Sequence, residues 1–134
     1  MSLKRSLSLA AVFALLAGGA HAQVSDGVVK IGVLSDMSSL YADLDGSGSV
    51  TAAQMAVEDF GAAKKGMKVE IISADHQNKP DVGSNVARQW YDVDKVDIIT
   101  GTTNSGVALA VSQVTKDKGR AFIVSGAASS DLTG

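Results

Sequence analysis

The 134-residue chain contains no cysteine. That excludes disulfides, thiol chemistry and a lipid-bearing cysteine behind an export signal. Histidine occurs only as His21 and His76, too few for a histidine-based metal centre, so neither a metal nor a cofactor is expected. Basic residues are also scarce. Twelve Lys and Arg stand against 14 Asp and Glu, which argues against nucleic acid as a partner, because such a surface wants a basic face. No apolar run reaches the roughly 20 residues of a membrane span. The phosphate loop G-x-x-x-x-G-K-[ST], the nucleophile elbow G-x-S-x-G and the zinc motif H-E-x-x-H are all missing. The nearest approach to a dinucleotide fingerprint is Gly46-Ser47-Gly48 followed by Thr51. It lacks the third glycine and lies about a dozen residues beyond the preceding strand instead of at its tip.

What is present begins with an export signal over residues 1–22. Lys4 and Arg5 form its basic end, Leu7 to Leu16 is apolar except for Ser8, and Ala20-His21-Ala22 offers small residues for cleavage before Gln23. Its removal takes away two positive charges and no negative ones, leaving 10 basic against 14 acidic residues, a net −4. The expected location is the periplasm.

Beyond the signal, apolar strand-like runs alternate with helical periodicity. Strands are expected at Val28 to Leu34, Lys68 to Ser73, Val96 to Thr100 and Ala121 to Ser125. A helix starting near Ser49 or Thr51 places Ala52, Met55, Ala56, Phe60 and Ala63 on one face and stops at Gly66. A second, with Pro80 in its first turn, carries Val82, Val86, Trp90 and Val93 as its apolar stripe. A third, from about Ser105 to Lys118, turns Val107, Val111 and Val114 inward and closes at Gly119. The βαβαβαβ order predicts an α/β fold with a doubly wound parallel sheet, strand 1 lying between strands 2 and 3. The chain ends just after a strand, which reads as a fragment or one lobe of a larger protein.

In such a sheet the loops after strands 1 and 3 diverge and leave a crevice at the carboxyl ends. Two polar stretches fall there: the loop 35–48, and Gly101-Thr102-Thr103-Asn104-Ser105-Gly106. The second puts hydroxyls and first-turn N–H groups at a helix N-terminus, where an anion is held well. The plain alternative is helix capping by one of Thr102, Thr103, Asn104 or Ser105. Gly126-Ala127-Ala128-Ser129-Ser130 is a second candidate contact, or simply a tight turn. Tyr41 either lies over a ligand or packs the loop. Trp90 reads as core, and His76 as a solvated turn residue with no nucleophile signature beside it.

Several segments together resemble one family. They are Val29-Lys30-Ile31-Gly32-Val33-Leu34-Ser35, Ala52-Ala53-Gln54-Met55-Ala56-Val57-Glu58-Asp59, Gly101-Thr102-Thr103-Asn104-Ser105 and Ile123-Val124-Ser125-Gly126-Ala127-Ala128. They are similar to the leucine/isoleucine/valine-type solute-binding proteins of ABC transporters, which have the type I periplasmic binding fold. The likeness spans residues 28–134 and implies that residues 23–134 form most of the N-terminal lobe of a two-lobe protein. It also implies a monomer that hands a small-molecule solute to a membrane permease without transforming it. A ligand-sensing receptor of the same fold, or an exported α/β enzyme, is the alternative.

By this resemblance Ser105 is the hydroxyl for a ligand carboxylate, with Thr103 and Asn104 beside it. Gly126, Ala127 and Ala128 supply the turn after strand 4. Ala128 stands where relatives carry a threonine, and Ser129 next to it is the candidate replacement. The Ser-Gly-Pro of many relatives is here Met37-Ser38-Ser39-Leu40-Tyr41, and Tyr41 is the candidate aromatic, shifted in register. Family members bind branched-chain amino acids, aromatic carboxylates, amides and urea.

Overall fold

Strand β1 (Val28–Ser35) lies second in a four-stranded sheet ordered β2-β1-β3-β4, all of whose pairings are parallel. The computed structural model describes residues 26–133, so the expected signal segment lies outside the described residues. β2 is Lys68–Asp75, β3 Ile98–Gly101 and β4 Ala121–Val124. The helices are α1 (Gly46–Phe60), α2 (Pro80–Asp92) and α3 (Ser105–Asp117). The predicted strand order and α/β class hold. The register sets Ser35 opposite Asp75, Leu34 opposite Gly101, and Gly101 opposite Val124. The strands therefore end nearly level, and the segments leaving them share one rim.

Alternation along the strands sorts the side chains onto two faces. Leu34, Ile72, Ala74, Ile99 and Phe122 point to the side of α2 and α3, where Ala87, Trp90, Tyr91, Val107, Val111 and Val114 complete a buried core. The contact is close enough to demand glycine. A Cβ on Gly32 would lie 2.5 Å from two atoms of the Trp90 ring, and one on Gly83 2.7 Å from Val107 Cγ1. Trp90 is core, as its spacing implied. Val93 is 62% exposed, and the buried stripe of α2 is Gly83, Ala87, Trp90 and Tyr91. Val86 packs partly buried against that core and Val82 is partly buried, so of the expected stripe Val93 is the residue that falls outside. The Tyr91 hydroxyl bonds Thr115 Oγ1 and donates to the Ala121 carbonyl, both at 3.1 Å, so the phenol is satisfied inside the core.

On the other face α1 has no second α-helix packed beside it among the described residues. It begins at Gly46, earlier than Ser49, and ends where Gly61 adopts a left-handed conformation (φ 67°), ahead of Gly66. A short 3-10 turn, Ala62–Lys65, separates the two glycines. The expectation that Ala52, Met55, Ala56, Phe60 and Ala63 are buried fails, since all five are exposed. Ala52, Ala56 and Phe60 do turn toward the sheet. With Val29, Ile31 and Ile123 they line an open apolar groove of about 550 Å³.

Candidate functional site

The turn after β3 is under backbone strain. Gly101 has φ 110°, and a Cβ there would come within 2.6 Å of the Leu34 carbonyl oxygen, so only glycine fits. Thr102 follows in the left-handed region (φ 64°), uncommon for a β-branched residue and of the kind that gathers at functional sites. It is fully buried, its N–H donates to the Leu34 carbonyl at 3.0 Å, and its Oγ1 has no partner among the described residues.

This strained entry delivers Asn104 to the N-cap of α3, where its Oδ1 accepts the Val107 N–H at 3.0 Å. The cap explains why the helix starts where it does. Asn104 Nδ2 is also engaged, donating to Asn78 Oδ1 at 2.6 Å. Ser105 and Gly106 open the helix, and their N–H groups have no intrahelical acceptor. Ser105 Oγ accepts the Ala128 N–H at 3.2 Å, tying the turns after β3 and β4 together. Gly126 seats against Thr103, whose Cγ2 and Oγ1 would lie 3.3 and 3.4 Å from a Cβ at that position. Ser129 Oγ accepts the Asp131 N–H at 3.3 Å and caps a three-residue 3-10 turn. Thr103, Ser105, Ala127 and Ser129 are partly exposed, and Gly126 and Ala128 are exposed. The structure thus brings together Thr103, Asn104, Ser105, Gly126, Ala127, Ala128 and Ser129.

Tyr41 lies in the loop that leaves the end of β1, and β1 is the neighbour of β3 in the sheet. The loop is wound around Asp36, which is fully buried. Asp36 Oδ2 accepts from Ser39 Oγ at 2.6 Å and the Tyr41 N–H at 2.9 Å, while Oδ1 accepts the Ser39 N–H at 2.9 Å. Burial pushes this carboxyl up. The bonds from the Ser39 hydroxyl and from the N–H groups of Tyr41, Ser39 and Ser38 outweigh it and hold the pKa below the usual 3.8.

Asp75 does the same between loops. Its Oδ1 takes the Met37 N–H at 2.9 Å and the Gln77 N–H at 2.7 Å. Burial raises its pKa and the nearby Asp36 charge adds to that, but the bonds from Ser38, Met37 and Gln77 bring it below 3.8.

His76 is not a solvated turn residue. It is fully buried, packed where α2 carries a glycine, and the His76 Cβ lies 3.6 Å from the Cβ position of Gly83. Its Nδ1 accepts the Asn78 N–H at 3.0 Å. Burial lowers its pKa, and the charges of Asp36, Asp45 and Asp75 offset this only in part. The imidazole is therefore neutral at neutral pH.

Sequence reasoning missed Asp36, Asp75, His76 and Asn78 as the frame behind the site. The available signals were the Asp36-x-x-Ser39 spacing of a local Asx cage and the small Gly83 in the following helix. No group of three or more His, Cys, Asp or Glu suited to a metal occurs among the described residues. The large groove beside α1 runs along that face of the sheet and meets the rim at Thr100, Gly101 and Ser125. Its apolar walls offer little to orient a polar solute, unlike the rim with its convergent hydroxyl and N–H groups.

A family model described as periplasmic binding protein matches residues 28–134. The chain is 33% identical over 134 residues to a Leu/Ile/Val-binding protein homologue of Brucella suis, covering 98% of this chain and 32% of that one. A periplasmic binding protein from Burkholderia mallei superimposes with a TM-score of 0.76 at 46% identity, over 80% of this chain and 28% of that one. A branched-chain amino acid ABC transporter periplasmic ligand-binding protein from Burkholderia xenovorans does so with 0.75 at 47%, over 79% and 28%. Several other similar structures hold ligands. A branched-chain amino acid substrate-binding protein of Streptococcus pneumoniae is in complex with isoleucine (25% identity, TM-score 0.71). A solute-binding protein of Rhodopseudomonas palustris is in complex with 4-hydroxybenzoate (27%, 0.71). The chain spans about a third or less of the length of these relatives. By the family match and the shared fold, this chain belongs to the periplasmic binding proteins.

Proposed function

We propose that the chain supplies one lobe of a periplasmic solute-binding protein. It captures a small carboxylate-bearing ligand and presents it to the permease of an ABC importer. The observation that carries this reading is the junction at Ser105, where the turns after β3 and β4 meet at the N-terminus of α3. Ser105 Oγ accepts one hydrogen bond from Ala128 and keeps its own proton to donate. With the first-turn N–H groups of Ser105 and Gly106, it forms a donor set at the positive end of the helix dipole. The loop segments 36–45, 76–79, 102–104 and 125–129 contain one cation, Lys79. Capture of a negative group at this rim therefore falls to hydroxyls and backbone N–H. Thr103 and Ser129 extend the donor set, Gly126, Ala127 and Ala128 line it, Tyr41 supplies an aromatic wall, and Asn104 acts by fixing the helix start.

The ligand leaves unchanged, as in a carrier and not an enzyme. The isoleucine and 4-hydroxybenzoate of the similar structures are both carboxylates, which supports the class and leaves the side-chain preference to measurement. The test is a thermal-shift and calorimetric panel of leucine, isoleucine, valine, benzoate and 4-hydroxybenzoate at pH 7.5, on the wild type and Ser105→Ala. At least one acid is expected to bind. Ser105→Ala is expected to weaken it by roughly 10- to 100-fold, the weight of a hydrogen bond to a charged group. Equal binding by the variant, or binding of no acid, overturns the reading.

A further inference from the structure

We propose that His76 is a positioning residue for the ligand site, anchoring the N-terminus of α3 through Asn78 and Asn104 and releasing it when the imidazole is protonated. The inference rests on the reading that this helix end receives the ligand.

The connection can be followed atom by atom. His76 Nδ1 accepts the Asn78 N–H at 3.0 Å. Asn78 Oδ1 accepts from Asn104 Nδ2 at 2.6 Å. Asn104 Oδ1 accepts the Val107 N–H at 3.0 Å and so caps α3. Three hydrogen bonds in series join a buried ring to the helix turn that begins with Ser105. The intermediate link is itself strained. Gln77 and Asn78 are consecutive non-glycine residues in the left-handed region, with φ 52° and 56°. Such a turn persists only where its surroundings over-determine it. Here the determinants are two side chains, Asp75 holding the Gln77 N–H and His76 holding the Asn78 N–H.

The same bond fixes the ring's chemistry. An Nδ1 that accepts a hydrogen bond bears no proton, so the neutral ring carries its proton on Nε2. Nε2 is buried without a partner among the described residues, as is Asp45 Oδ2. Asp36 in the loop after β1, Asp45 at the N-cap of α1 and Asp75 at the end of β2 are the charged groups that act on the imidazole. From α2 the neighbour is Gly83, which cannot titrate. A proton added to the ring goes to Nδ1. It turns the acceptor into a donor facing another donor, the Asn78 N–H, and the first link of the series is lost. Because the ring's pKa lies below 6.5, this happens on acidification and not at neutral pH. Affinity at the α3 end therefore falls as pH falls through the ring's lowered pKa.

Asparagine and glutamine separate positioning from bulk packing. His76→Asn places a carbonyl oxygen near the Nδ1 position and does not titrate. His76→Gln reaches toward Nε2 and leaves the Nδ1 position without an acceptor. The wild-type chain and both variants are compared by ring ¹⁵N shifts and by amide exchange protection of Asn78 and Val107, from pH 7.5 to 4.5. Isoleucine and 4-hydroxybenzoate are titrated in parallel.

In the wild type the ring is expected to start as the Nε2–H tautomer, and protection at both amides to fall together as it protonates. Probe affinity should drop about tenfold, as for one lost hydrogen bond. His76→Asn should keep wild-type protection and affinity at pH 7.5 and lose the pH dependence, and His76→Gln should show the acid-like behaviour throughout. A Val107 amide indifferent to ring protonation, a ring that stays neutral over the whole range, or a His76→Asn profile that follows the wild type overturns the proposal. If neither probe binds while the amides behave as described, the ligand reading fails and the positioning of α3 stands. If a variant does not fold, the wild-type titration alone decides.

Discussion

On the side of the sheet covered by α2 and α3, Trp90 and Tyr91 keep 5% and 3% of their surface. On the α1 side Phe60 keeps 51% and Ile123 57%. Both faces come from the same strands, and the helices on both carry apolar residues at helical spacing. The difference lies in how many helices share the load. α2 and α3 pack against each other as well as against the sheet, with Gly83 letting them approach. α1 leans on the sheet without a neighbouring helix among the described residues. All-parallel sheets are ordinarily covered on both faces, and the relatives are about three times as long as this chain. Periodicity thus tells which side of a helix turns to the sheet and leaves open how fully that side is covered.

The sharpest way to break this contrast is truncation on each face. Trp90→Ala is expected to cost about 3–5 kcal/mol, the loss of a large buried aromatic, which approaches the whole stability of a small domain. Phe60→Ala, half exposed, is expected to cost less than about 1.5 kcal/mol. Urea midpoints of the two variants check the pair, and equal losses would mean that the α1 face is as well packed as the other.

Glycines give a smaller and opposite-signed test. Gly32→Ala drives a methyl into Trp90 at 2.5 Å and should destabilise by roughly 1–3 kcal/mol. Gly48 lies inside α1 with nothing within 4 Å of its Cβ position. Gly48→Ala should therefore stabilise by about 0.5–1 kcal/mol through helix propensity. Thermal midpoints moving in opposite directions support the contrast, and a loss at both positions removes it.

The strand order and the inward faces of α2 and α3 were readable because Val107, Val111, Val114 and Trp90 repeat at a helical period against near-continuous apolar strands. The turn after β3 was readable because Gly101 and a run of hydroxyl and amide side chains mark a strand emptying into a helix. The burial of His76 was not, since nothing in Asp75-His76-Gln77-Asn78 distinguishes a solvated turn from one packed beneath α2. That distinction depends on Gly83, seven residues further on, and on the loop 36–45 that sets Asp36 and Asp45 near the ring. The exposure of Met55 and Phe60 was unreadable for the reason already seen: their spacing matches that of a buried face, and the covering partner is not encoded in the helix itself.

The most direct test is residue-resolved NMR titration of the chain with isoleucine and with 4-hydroxybenzoate at pH 7.5. The account predicts that at least one of them shifts the amides of Thr103, Ser105, Gly106, Gly126 and Ala128 at the strand ends. Perturbations confined to Ala52, Ala56, Phe60 and Ile123 along the apolar groove would contradict it.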